Sequence, residues 1–107
     1  MPKQFDVYRN PSAKTNKLWP FYLILQNDYF DDLTTRIVVP LVLKNDIDLN
    51  KKRINPLVKI NKSDFYVFLP AITFLEAKKI NNKDFICNIA SSRNEIISAL
   101  DAIVTNT

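Results

Sequence analysis

Histidine and glycine are both missing from this chain of 107 residues, and cysteine occurs once. Without histidine, the commonest general base and the commonest zinc ligand are gone. One cysteine cannot supply the sulfur set of a structural zinc site. Without glycine, the P-loop and the dinucleotide-binding fingerprint are excluded, because both need backbone that approaches phosphate closely. Turns that require positive φ must then use asparagine or aspartate, present at Asn27-Asp28, Asn45-Asp46, Asn61 and Asn81-Asn82. Cys87 has no internal disulfide partner, which fits a reducing cytoplasm. Ordinary enzyme chemistry is disfavoured, with no catalytic residue, cofactor or metal expected.

Long apolar runs are also lacking. Runs such as "IVVPLVL" from Ile37 to Leu43 are far shorter than the ~20 residues a membrane helix needs. The opening "MPKQFDVY" carries no apolar signal region, so no export and no membrane association is expected. Positive charge is in modest excess at +4, and Lys51-Lys52-Arg53 is the only tight basic run. It has no interleaved aromatics for stacking on bases, so a solvated loop is the expected role, with direct nucleic-acid binding the less favoured alternative.

What is present reads as one globular domain over residues 1–107, 47% hydrophobic and 24% charged. "QFDVY" (Gln4 to Tyr8) alternates like a half-buried strand. "FYLILQ" (Phe21 to Gln26) and "TRIVVPLVL" (Thr35 to Leu43) are rich in aromatic and β-branched residues, as central strands are. Pro40 donates no ladder bond and should sit at an edge, a bulge or a strand end. "PLVKI" and "DFYVFL" flank Asn61-Lys62-Ser63, which predicts a hairpin with a three-residue loop. "DFICNIA" is a further strand pattern, whereas "PAITFLEAKKI" is ambiguous, with Leu75 to Lys79 suiting a helix. Residues 45–55 form a polar excursion.

Ser92-Arg93-Asn94-Glu95 has capping-box spacing and predicts the start of a helix. Ile96, Ile97, Leu100, Ile103 and Val104 then recur at helical spacing on one face. The expectation is about five antiparallel strands in meandering order, followed by a C-terminal α-helix. Such a mainly β chain forms a strongly bent antiparallel sheet or SH3-like barrel with the helix packed on it. Trp19 is expected to pack at a strand entry, Cys87 to be a small buried hydrophobe, and Arg36 to pair with a carboxylate. Tyr29 and Phe30 are adjacent, and on a strand they would face opposite sides, leaving one exposed for an interface.

At "QFDVY", "YLILQND" and "TTRIVVPL" the sequence resembles the CcdB family of bacterial toxins. Gln4, Phe5, Val7 and Tyr8 match that family's Gln-Phe-x-Val-Tyr strand. Gln26 and Asp28 match its Val-Gln-Ser-Asp, and Arg36, Val38, Pro40 and Leu41 its Arg-x-Val-Ile-Pro-Leu. "PLVKI" resembles Pro-Val-Val-His-Ile with Lys59 in place of histidine, and Arg93, Asn94 and Ile96 match an Arg-x-Asn-x-Ile helix. The resemblance implies the CcdB/MazF-like toxin fold and a cytoplasmic homodimer that binds the gyrase A component of DNA gyrase and traps its cleavage complex with DNA. It also implies a CcdA-like antitoxin that neutralises the toxin. Operator DNA is then contacted only through the antitoxin complex. Family likeness places gyrase contacts at Tyr29, Phe30, Ser98, Val104, Thr105, Asn106 and Thr107.

Two departures stand out. The family's Thr-Ser-Val-Pro loop is replaced by Thr73-Phe74-Leu75-Glu76 and a longer "AKKINNKDF". The family's terminal Gly-Ile, often preceded by tryptophan, is replaced by Thr105-Asn106-Thr107. Two alternatives follow: a homologue of little toxicity that still dimerises and binds antitoxin, and a MazF-type endoribonuclease on the same fold. The ribonuclease reading lacks a glycine-containing N-terminal loop and histidine, though Asp28, Thr34, Thr35 and Arg36 offer polar groups for acid–base chemistry.

Overall fold

A computed structural model describes residues 2–46 and 54–105 of the chain. Lys51, Lys52 and Arg53, together with Asn106 and Thr107, lie outside the described residues. Strands β1 (Asp6–Arg9), β2 (Phe21–Ile24), β3 (Thr35–Leu43), β4 (Leu57–Ile60), β5 (Ser63–Val67), β6 (Thr73–Glu76) and β7 (Phe85–Asn88) precede one helix, α1 (Arg93–Val104). The strands form one sheet in the order β4-β5-β3-β2-β1-β7, with β6 also paired to β3. Every pairing is antiparallel. The expected fold class holds, as a curled sheet or half-barrel carrying a C-terminal helix. The strand count differs, with seven among the described residues rather than about five.

The curl follows from β3, which serves two partners along one edge. Leu41, Val42 and Leu43 pair with β5, whereas Thr35 to Val38 pair with β6. On its other edge, Val38 to Leu41 pair with β2. Pro40 therefore sits in the middle of a central strand, not at a strand end. Its carbonyl accepts from the Phe68 N–H at 3.0 Å, which points its backbone at the gap between β5 and β6. The missing donor is not needed there, and that is why proline is tolerated.

The concave face buries Val7, Leu23, Val39, Leu41, Ile60, Phe65 and Val67 against Ile96 and Ala99 of α1. A second cluster on the opposite face holds Tyr8, Ile24 and Val38, with Tyr22, Leu75 and Ile80 packed on it. The central strands are thus buried on both sides, which explains why they read as continuous apolar runs. Leu75 to Lys79, where a helix was conceivable, is instead the end of β6 and a short 3-10 turn. A register shift between β1 and β7 leaves Ile86 unpaired opposite Val7 and Tyr8. That bulge lets consecutive Ile86 and Cys87 both pack against the core. Trp19 packs as expected, stacked on Phe68 with ring centroids 5.5 Å apart.

Helix α1 covers the sheet through Ile96, Ala99, Ile97, Leu100 and Ile103. Val104, expected on the same stripe, is 71% exposed and points elsewhere. The capping box at Ser92 does not form, because no side chain caps the helix and Ser92 has φ −98° and ψ 13°. A 3-10 turn over Ala90–Ser92 runs directly into α1, so Ser92 already has near-helical backbone and cannot turn back on it. Capping moves upstream to Asn88, whose side-chain oxygen accepts from the Ala90 N–H at 2.9 Å.

The β4–β5 loop has two residues, not three, since Ser63 already belongs to β5. Asn61 and Lys62 have φ of 51° and 70°, the pattern of a type I′ turn. Asn61 is the residue type expected at positive φ, whereas Lys62, and Phe5 at φ 70° before β1, adopt it without being asparagine or aspartate. Lys62→Gly is accordingly expected to raise unfolding stability by roughly 0.5–1 kcal/mol in urea titration, the relief of φ exceeding glycine's entropy cost.

Candidate protein-binding site

The β2–β3 connection carries most of the predicted contact residues that are exposed and apolar. Asp28–Phe30 form a single 3-10 turn, started by Asn27, whose side-chain oxygen accepts from the Tyr29 N–H at 2.9 Å. The Asp28 carboxylate accepts from the Gln4 N–H at 2.7 Å and ties the turn to the residues just before β1. Gln26 donates to the Phe30 carbonyl at 2.9 Å while its oxygen accepts from the Ile37 N–H at 3.2 Å. Arg36 closes the loop from below by donating to the carbonyls of Asp31, Leu33 and Thr35.

Held this way, Tyr29 is 82% exposed and Phe30 48%. Their rings meet edge to face, 5.1 Å apart at 87°. As expected, the two rings are not buried together, and in fact neither is buried. A 3-10 turn, unlike a strand, does not send neighbouring side chains to opposite faces. Leu33 adds another half-exposed side chain in the same connection. Beside it on β3 and β6, Ile37 and Phe74 face each other across the ladder and are 44% and 64% exposed. Ile37 shares the face that carries Val39 and Leu41 into the core, so this end of the concave face is left uncovered. Sequence reasoning did not single out Phe74, because its segment had no clear period.

The tip of α1 is sparser. Ser98 and Thr105 are exposed, Val104 is the one large apolar side chain there, and the Thr105 hydroxyl donates back to the Asp101 carbonyl at 2.7 Å. Among the described residues, no hydrogen bond or ring contact joins this tip to Tyr29 and Phe30. Asn106 and Thr107 fall outside the described residues.

Arg36 is only 2% exposed, and its guanidinium lies on backbone carbonyls rather than on the carboxylate expected of it. A buried arginine spent on three carbonyls is not offered to a substrate beside Asp28, Thr34 and Thr35. The rebuilt region after β6 is anchored by Asp84, 5% exposed and ion-paired with Arg9 at 3.1 Å.

Cys87 is half-buried, and burial pushes its thiol up, with the Asp6 charge adding to the effect. The thiol is therefore less available as thiolate than that of an ordinary cysteine. Alkylation at pH 8 is expected to be slower than that of a cysteine peptide. The folded protein holds this proton more tightly than the unfolded chain does. Its contribution to stability is full below the ordinary thiol range and is lost as pH rises above it.

No helix among the described residues is long and apolar enough to cross a membrane. No curated protein sequence gives a significant match to the chain. The family model described as CcdB protein, in contrast, matches residues 4–106, which takes in the locked connection, the curled sheet and the helix together. On that match the chain belongs to the CcdB family, which suggests a toxin of the CcdA/CcdB toxin–antitoxin system.

Proposed function

We propose that this protein acts without catalysis, by binding the gyrase A component of DNA gyrase and holding the cleaved gyrase–DNA complex, and that a CcdA-like antitoxin neutralises it. The observation that carries the reading is the Tyr29–Phe30 pair. Two large rings stand in water on a loop tied down by side chains, at the positions where family likeness puts the target surface. The sparse tip of α1 leaves this pair as the main apolar contact, so binding weaker than a tryptophan-bearing tip would give is expected.

The acting form is a homodimer in the cytoplasm, with the sheet contributing much of the buried area. Ile37, Ile72 and Phe74, all partly exposed, supply an apolar face for the second copy. A net charge of +4 favours an acidic or amphipathic antitoxin segment, mainly by speeding encounter. Operator DNA is reached only through the antitoxin complex.

The test is calorimetric titration of the protein onto a purified gyrase A fragment. Saturable binding with a Kd of about 10 μM or tighter is expected. No heat of binding at concentrations tenfold higher would contradict the reading.

A further inference from the structure

An exposed loop gains nothing for the fold by presenting three large apolar side chains to water. This one is nevertheless held by four side chains. Gln26 spans the Phe30 carbonyl and the Ile37 N–H, Asn27 caps the turn, and Asp28 ties it to Gln4. Arg36 is the least expected of the four. It is buried to 2% exposure, and among the described residues no carboxylate pairs with it. Burying a cation is costly unless its donors are satisfied. Here the two terminal nitrogens of the fork meet the carbonyls of Asp31 and Leu33, in the loop after the turn, and of Thr35 at the start of β3, while Nε is buried with no hydrogen-bond partner among the described residues.

We propose that Arg36 is a positioning residue that fixes the Tyr29–Phe30 pair in its binding shape before the target arrives. The proposal rests on the gyrase reading above and deepens it. Arg36 does not touch the target. It spares the complex the entropy of ordering residues 29–33, which would otherwise be subtracted from affinity. Lysine cannot replace it fully, because an ammonium is a point donor and not a fork.

The experiment compares Arg36→Met, Arg36→Lys and Gln26→Leu with Val67→Ala, a core control far from the loop in the ladder. Each is studied at a temperature where near-ultraviolet circular dichroism shows it folded. Amide hydrogen exchange of residues 29–33 and affinity for the gyrase A fragment are both read. Arg36→Met is expected to speed loop exchange and weaken binding about tenfold, with Arg36→Lys in between. Gln26→Leu should shift both readouts in the same direction, whereas Val67→Ala should lose stability yet bind like the natural protein. Should Arg36→Met not fold, Arg36→Lys and Gln26→Leu carry the test. Natural affinity in folded Arg36 and Gln26 variants, while Tyr29→Ala binds weakly, would overturn the positioning role alone. Absence of binding by the natural protein would instead overturn the gyrase reading and the proposal's target with it.

Discussion

Alanine at both Tyr29 and Phe30 is expected to weaken binding to gyrase A by about a hundredfold or more, with folding left intact. A large side chain taken fully out of water contributes roughly 1.5–3 kcal/mol. Tyr29 has 82% of its surface to lose, but Phe30 only 48%, so the pair belongs near the low end. A combined loss of about 3 kcal/mol corresponds to a factor slightly above a hundred. Neither ring reaches the core clusters, and the fold forfeits only their mutual edge-to-face contact, ~0.5–1.5 kcal/mol. The brackets on this loop use backbone atoms of Tyr29 and Phe30, so they survive the substitution. Titration beside a thermal melt separates the two effects. A matching fall in affinity and melting temperature would contradict the assignment.

Ile96→Ala should be among the most damaging single changes to stability, costing about 2–5 kcal/mol. Ile96 is fully buried where α1 meets the sheet, among Val39, Leu41, Ile60 and Val67. Truncation removes transfer energy and leaves a cavity that a rigid helix–sheet contact closes poorly. Against a domain stability of roughly 5–15 kcal/mol, this lowers the melting temperature by about 10 °C or more. Val104→Ala, two turns further along the same helix, should stay within about 0.5 kcal/mol, since Val104 is 71% exposed. Equal costs at both positions would show that α1 does not cover the core by its Ile96–Ala99 face.

Much of this fold was legible because local pattern and tertiary context agree. Thr35 to Leu43 reads as a strand and is one, end to end. The helix declares itself through Ile96, Leu100 and Ile103. Where reading failed, tertiary structure overrode the local signal. Ser92 has the chemistry of a cap, but the preceding 3-10 turn takes away the extended backbone a cap needs. Thr73–Glu76 becomes a strand only because the free half of β3 offers it an edge. The geometry of the candidate site was half legible. Adjacent aromatics in a turn marked Tyr29 and Phe30, while the roles of Gln26 and Arg36 depend on carbonyls brought near by folding. No spacing in the sequence announces that a buried arginine will serve a turn instead of a carboxylate.

The most direct test of the toxin account is a DNA cleavage assay with purified gyrase, supercoiled plasmid and ATP. The protein is added at a concentration that saturates gyrase A, and the reaction is stopped with detergent and protease. Linear plasmid should accumulate with the natural protein, fall away with Tyr29→Ala/Phe30→Ala, and disappear when the antitoxin is added first. Saturating protein that leaves the plasmid uncut, or a double variant that still yields linear DNA at the natural dose, would contradict the account.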